Sequence, residues 1–133
     1  MQRFSFIVIL AFILFTPGKS YAEPAAAIET TLYFGMALGD GGKVSDEEWS
    51  DFLTNVVTPR FPDGFTVVDA YGQWRDTAVA NAPIVRETTK ILIVVHPATA
   101  EAEASVAEVK SIYRDLFAQQ SVFHTEVSVR VME

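Results

Sequence analysis

The order in which apolar residues change their spacing constrains the fold of this chain more than any other feature. Apolar residues alternate, or run continuously, in four stretches and recur every three to four residues in two others. The predicted strands are Thr30–Met36, Phe65–Arg75, Arg86–His96 and Val122–Met132, and the predicted helices run from Ser45 to Pro59 and from Thr99 to about Ala118. This order predicts an α+β domain of the ferredoxin-like βαββαβ type, in which a four-stranded antiparallel sheet carries both helices on one face.

Two local signals support this order. Ser45, followed three residues later by Glu48, is a capping-box signature that opens the first helix. The continuous apolar run Ile91–Val95 suits a central strand, and right-handed crossovers also place the first and third strands in the middle. The far face of the sheet then needs a cover, which a second copy of the chain could supply, since dimers are the commonest assemblies. The alternative is an open face of mixed polar groups.

The first 22 residues have the pattern of a secretory signal peptide. Arg3 gives a positive start, the stretch Phe4–Phe15 is apolar apart from Ser5, and Ser20-Tyr21-Ala22 is a cleavage signal. The apolar stretch is shorter than the ~20 residues that span a bilayer, although a retained membrane anchor is the alternative. We therefore expect cleavage after Ala22, a single domain over residues 23–133 that begins with a loose leader at residues 23–29, and a periplasmic or secreted location.

The charge and cysteine content exclude several classes of partner. The chain has a formal net charge of −7 and no cysteine. An acidic chain repels phosphate backbones and anionic headgroups, so neither nucleic acid nor, after signal cleavage, a membrane is an expected partner. An exported chain without cysteine has no disulfide and depends on its core alone.

The most chemically dense segment is Asp69–Arg75 on the second predicted strand. Alternation places Asp69, Tyr71 and Gln73 on one face, with side chains about 7 Å apart, and we expect this row on the sheet face away from the helices. Gly72 leaves space for a neighbouring side chain or a ligand. In a functional interpretation the row lines a pocket, with Asp69 as acceptor or base and Tyr71 as donor. In a packing interpretation Asp69 pairs with Arg60 or Arg75, while Tyr71 and Trp74 are packing residues.

Two histidines are the remaining candidates for chemistry. His96 ends the central strand beside a helix N-terminus, where imidazole is a common site residue but equally often bonds the following turn. His124 and Glu126 share one face of the last strand, but two ligands do not make a metal site. The sequence carries no phosphate-loop, nucleophile-elbow or metalloprotease signature, so we predict neither a metal nor a cofactor.

Several blocks resemble a family of small secreted bacterial proteins catalogued as a domain of unknown function. These blocks are Glu29–Met36, Gly42–Trp49, Thr58–Gly64 and Asp69–Arg75, and similar segments follow at Arg86-Glu87, Val94–Pro97 and Val129–Val131. The resemblance covers nearly the whole of residues 23–133. It implies export and a single domain, and it implies no activity.

Three functional hypotheses follow. The first is a non-catalytic module that binds a small molecule or an envelope protein through the exposed sheet face and adjoining loops; its predicted binding residues are Arg60, Asp69, Tyr71, Gln73, Trp74, Arg75 and His96. The second is a small enzyme of the dimeric α+β-barrel type, oxygenase- or isomerase-like, with a polar pocket around the second strand. Its acid–base set is Asp69, Tyr71, Arg75 and His96, with Arg60 neutralising an anionic substrate, and it requires Asp69, Tyr71 and His96 within about 10 Å of one another. The third is a structural role in an envelope complex.

Overall fold

The computed structural model describes residues 25–132, so the predicted signal peptide lies outside the described residues. Its strands are β1 (Ala25–Gly35), β2 (Thr66–Trp74), β3 (Val85–Pro97) and β4 (Phe123–Val131), and its helices are α1 (Asp46–Phe52) and α2 (Ala100–Phe117). Within this range no helix has both the length and the hydropathy to cross a bilayer.

The four strands form one antiparallel sheet in the order β2-β3-β1-β4. The first and third strands are therefore the inner pair, as the sequence predicts, and β2 and β4 are the edges. The predicted α+β class, antiparallel sheet and pair of helices are confirmed. Each ladder keeps one register throughout, so alternation assigns every strand residue to a face.

Both helices pack on the same face of the sheet, around Phe34 of β1. The Phe34 ring lies 5.3 Å from the Trp49 ring and 5.7 Å from the Phe52 ring of α1, measured between centroids. It lies 4.6 Å from the Tyr113 ring of α2. Phe34 and Tyr113 are fully buried, so this aromatic cluster is the centre of the core.

The first helix begins as predicted and ends differently. The Ser45 hydroxyl accepts a hydrogen bond from the Glu48 amide, and the Glu48 carboxylate accepts one from the Ser45 amide, which completes the capping box. The Ser45 hydroxyl also donates to the Glu48 carboxylate. The two bonds that this carboxylate accepts from Ser45, the backbone one first, lower the pKa of the Glu48 carboxyl. After Phe52 the chain widens into a π-helical segment, Leu53–Val57, in which the Thr58 amide donates to the Leu53 carbonyl. Val57 is fully buried within it.

The first strand begins five residues before its predicted start. Residues 25–29 were expected in a loose leader, because the alanine-rich segment has no alternation of apolar and polar side chains. It is a strand because both neighbours pair with it: Ala27 lies opposite Pro97 on one side and Val129 on the other. Ladder hydrogen bonds on both sides override a weak local preference.

Candidate functional site

The polar row of the second strand lies on the helix side of the sheet. Val67 pairs with Leu92 across β2 and β3, and Leu92 is fully buried in the core beneath the helices. Asp69 and Tyr71 follow Val67 at steps of two and face the same side. The prediction that this row lies on the face away from the helices is therefore wrong. Burial of Val67 decides the register, because a slip by one residue would expose it.

The row is nevertheless exposed, because it projects beyond the helices. Tyr71 is 68% exposed, and the Asp69 side chain is 78% exposed. Asp69 accepts a hydrogen bond from Lys90, its cross-strand neighbour, rather than pairing with Arg60 or Arg75 as the packing interpretation supposed. Only the Asp69 end of this pair is exposed, since the Lys90 side chain is 14% exposed.

The rest of the segment is a solvated end of the strand. The Gln73 side-chain oxygen accepts a hydrogen bond of 3.0 Å from Nε of Arg86. Trp74 points to the opposite face and is about half exposed, and Arg75 follows the strand and is exposed. The predicted binding residues of β2 thus divide between the two faces.

His96 lies at the other end of the sheet from this row. It comes six residues after Lys90 on β3, which places its backbone about 20 Å from that of Lys90 and hence from Asp69. Groups that share a proton must come within about 3 Å or be bridged by a water. Asp69, Tyr71 and His96 therefore do not form a common acid–base set, and this version of the enzyme hypothesis is wrong.

The contacts of Arg60 are structural. Its Nε donates to the Glu108 carboxylate at 2.9 Å, and a second guanidinium nitrogen donates to the Val56 carbonyl at 2.8 Å. The neighbouring Phe61 ring lies 6.0 Å from the His96 ring. Arg60 thus ties the π-helical segment to α2.

A chain of polar side chains, which the sequence does not predict as a connected set, runs beneath α2. Nε2 of His96 lies 2.8 Å from the Thr30 hydroxyl, and that hydroxyl lies 3.4 Å from Oε1 of Glu126. Nε2 of His124 lies 2.9 Å from the same Glu126 oxygen. Nζ of Lys110 lies 3.4 Å from Nδ1 of His124. The chain connects the buried pair Thr30 and His96 to the surface beside α2.

The partners of His96 determine where its hydrogen lies. Its Nδ1 is 2.9 Å from the Pro97 carbonyl, which only accepts, so Nδ1 carries a hydrogen. In a neutral imidazole Nε2 then accepts from Thr30. The hydroxyl has one hydrogen, so donation to His96 leaves none for Glu126. The shorter distance to His96 favours donation of this hydrogen to His96. The buried pair Thr30 and His96 then has no hydrogen bond to Glu126, His124 and Lys110.

The outer groups are fixed by the same reasoning. The Lys110 ammonium has only donors, so Nδ1 of His124 accepts and the hydrogen of a neutral ring lies on Nε2, facing Glu126. These groups line a cleft of about 380 Å³ between α2 and β4, whose walls are Glu103, Val106, Ala107, Lys110, His124 and Glu126. Across residues 25–132 no three His, Cys, Asp or Glu side chains are placed to hold a metal ion.

The sheet face away from the helices, which we call the open face, is apolar. Phe123 is 65% exposed and Val127 is 59% exposed on β4, and further exposed residues of this face are Val68, Trp74, Val95 and Val131. Half-buried Ile91, Ile93 and Tyr33 lie between them. A contiguous apolar area of this extent is typical of an interaction surface.

Charge is nearly absent from the open face. Among the strand residues that alternation assigns to it, only Glu29 and Glu87 are charged. The Glu87 carboxylate lies over Gly35, where an added Cβ would come within 2.8 Å of Oε2. A Cβ on Gly72 would come within 2.7 Å of the Thr89 hydroxyl. The space that the sequence predicts at Gly72 is thus filled by a side chain of β3.

Comparison with protein families assigns the sequence. The family described as a protein of unknown function, DUF3574, matches residues 29–132. The chain belongs to this family. The predicted resemblance to a small-protein family of unknown function is therefore confirmed. A search of curated proteins gives no match.

Solved structures share the fold at low sequence identity. A phage SAM lyase in complex with S-methyl-5′-thioadenosine is 15% identical with a TM-score of 0.61, and the match covers 84% of this chain and 97% of that chain. The apo state of a phage SAM lyase is 15% identical with a TM-score of 0.56, and the match covers 80% of this chain and 90% of that chain. At this identity the likeness shows the fold alone.

Proposed function

We propose that this DUF3574 protein is an exported, non-catalytic binding module and that its open face is the docking surface. The single observation that carries the proposal is the uncovered apolar face, in which Phe123 and Val127 are more than half exposed. Export follows from the predicted signal peptide at residues 1–22. We also assign the topology to the ferredoxin-like type, since the inner pair is β1 and β3 and all ladders are antiparallel.

We propose a second copy of the chain as the occupant of the open face. Four strands about 4.8 Å apart, with about nine residues each at about 3.3 Å per residue, give roughly 570 Å² of flat area per copy. Two such faces would bury more than about 1,000 Å² together, which is the range of specific interfaces. The open face is therefore large enough for a dimer interface, and its exposure to water is unfavourable because it is apolar.

The distribution of charge favours the same occupant. The chain has 17 acidic and 10 basic residues, so two copies repel one another over most orientations. The open face carries only Glu29 and Glu87, one on each inner strand. Contact through this face brings together the least charged part of two acidic molecules.

A matched pair of charge substitutions tests the docking surface. Val127 on the open face and Leu116 on α2 are each 59% exposed. Sedimentation of residues 23–133 is expected to show a dimer that Val127→Glu dissociates and Leu116→Glu does not. A monomer at all concentrations, or equal effects of the two substitutions, would contradict the dimer. If the wild type is a monomer and binds an envelope protein, and Val127→Glu abolishes that binding, the occupant of the open face is that protein and not a second copy.

The second candidate function is an enzyme, and the fold likeness favours it specifically. The match spans 97% of the chain of a phage SAM lyase, so the likeness is not confined to a common sheet fragment. We test it by incubating residues 23–133 with S-adenosylmethionine and measuring S-methyl-5′-thioadenosine by chromatography. Product that grows with time and protein concentration would support a lyase, and no product above the protein-free rate would count against it.

A further inference from the structure

Two groups in the α2–β4 cleft have hydrogen-bonding capacity that the described residues do not use. Lys110 is half-buried, yet none of the ion pairs among residues 25–132 includes it, and its contact is an imidazole nitrogen. Nε2 of His124 is fully enclosed and has no well-aligned hydrogen bond, although a Glu126 oxygen lies 2.9 Å away. A half-buried ammonium whose contact is an imidazole nitrogen still has hydrogens to donate, so the cleft offers donors to an acceptor beside Lys110.

The opposite charge lies further along the same cleft. Glu103 precedes Lys110 by seven residues on α2, about 10 Å along the helix axis. A Glu126 oxygen lies 2.9 Å from Nε2 of His124, whereas Lys110 contacts Nδ1, so the imidazole ring stands between Lys110 and Glu126. Lys110 therefore marks a positive end, and the two carboxylates provide negative charge away from it. Val106 and Ala107 supply the apolar wall between them.

We propose that this cleft binds a small zwitterion of the amino-acid class. The ligand carboxylate accepts from the Lys110 ammonium, and the ligand ammonium donates to Glu126 and Glu103. A simple anion would meet two carboxylates, and a simple cation would leave Lys110 without an acceptor. A cleft of about 380 Å³ has room for such a ligand. The proposal is independent of what covers the open face.

The first test separates the two ends of the ligand. The probes are the common amino acids, added singly to residues 23–133 while the ring resonances of His124 are followed by NMR. At least one amino acid is expected to shift them saturably, with a dissociation constant below about 10 mM. Its matched amine, without the carboxylate, and its matched acid, without the ammonium, are each expected to bind at least about tenfold more weakly. No saturable shift, or equal binding of amine and amino acid, would overturn the proposal.

The second test distinguishes recognition from folding. Lys110→Gln is expected to weaken amino-acid binding about tenfold but to leave binding of the matched amine unchanged, so the preference for the carboxylate disappears. Lys43→Gln, in an exposed loop, is the control and is expected to change neither. Equal weakening of both probes by Lys110→Gln would indicate a structural role, and an unchanged preference would remove Lys110 from the site. Either result would overturn the proposal.

Discussion

Both faces of this sheet carry large apolar side chains, but the two faces have very different surroundings. On the helix side, Leu32 and Phe34 of β1 are fully buried beneath α1 and α2. On the open face, Phe123 and Val127 of β4 are exposed. Alternation alone therefore does not indicate which face of the sheet the helices cover, because the strand positions of both faces include large apolar residues.

The last strand shows this most clearly. Its residues on the helix side are polar, namely His124, Glu126, Ser128 and Arg130, whereas its open-face residues are Phe123, Thr125, Val127, Val129 and Val131. A sheet that functions with one face in water has the reverse pattern. The reversed pattern of β4 supports the proposals that a second copy covers the open face and that a polar ligand binds on the helix side.

The largest expected effect comes from truncating one phenylalanine on each face. Phe34→Ala should lower the free energy of unfolding by about 3–5 kcal/mol, because it opens a cavity among Trp49, Phe52 and Tyr113. Phe123→Ala should lower it by less than about 1 kcal/mol at protein concentrations where the chain is monomeric. Urea unfolding measures both. Equal losses would show that the two faces do not differ as described.

A smaller effect tests the contact between β1 and β3 on the open face. Gly35→Ala should cost no more than about 1 kcal/mol, because the new Cβ would push aside only the flexible end of the Glu87 side chain. Gly39→Ala is the matched control, since a Cβ there meets nothing within 4 Å and its φ is not positive. Thermal unfolding of the two variants measures the difference. A Gly35→Ala variant as stable as the control would mean that the position of Glu87 over Gly35 contributes nothing to stability.

The buried Tyr113 hydroxyl makes the free energy of unfolding depend on pH in the alkaline range. Its hydroxyl donates to the Gly35 carbonyl at 2.8 Å, and burial first, then the Glu87 charge, raises its pKa above the usual 10.0. A raised pKa means that stability is present below pH 10 and lost as pH rises above it. Tyr113→Phe should cost about 0.5–1.5 kcal/mol at neutral pH and remove that alkaline loss. Urea unfolding from pH 7 to 11 checks this, and parallel pH curves would contradict it.

The smallest effect concerns the capping box of α1. The pKa of Glu48 is lowered by its bonds to Ser45, so its contribution is present at neutral pH and is lost as pH falls through the lowered value. Glu48→Gln should therefore be slightly less stable than the wild type at pH 7 and equal to it at low pH. Glu47→Gln, one residue earlier on the exposed helix, is the control. A difference in the free energy of unfolding between Glu48→Gln and the wild type that does not change with pH would mean that side-chain shape, and not charge, causes the effect.

The sequence predicts the order of elements and the inner strands because periodicity and crossover handedness are local or topological properties. It does not predict the start of β1, since residues 25–29 become a strand only by pairing on both sides. The face of Asp69 was predictable: Val67 shares its parity and is apolar, so that parity belongs to the core. The prediction failed because it placed Asp69 by its polar side chain and not by its even spacing from Val67, which sets the face on which Asp69 lies.

The polar chain beneath α2 was only partly accessible from sequence. Thr30 shares parity with Leu32 and Phe34, so its burial could have been predicted. The approach of Lys110 to His124 could not, because it depends on how α2 lies across β4. Only the distances show that the half-buried Lys110 ammonium contacts an imidazole nitrogen rather than a carboxylate.

The most direct test of the central claim uses the fact that the chain has no cysteine. A single thiol introduced by Val127→Cys reports on the open face, and one introduced by Leu116→Cys reports on the helix side at the same 59% exposure. Maleimide alkylation rates are measured over a range of protein concentrations. Position 127 is expected to become protected as concentration rises, whereas position 116 is not. Equal rates at every concentration, or protection at position 116 alone, would contradict this expectation.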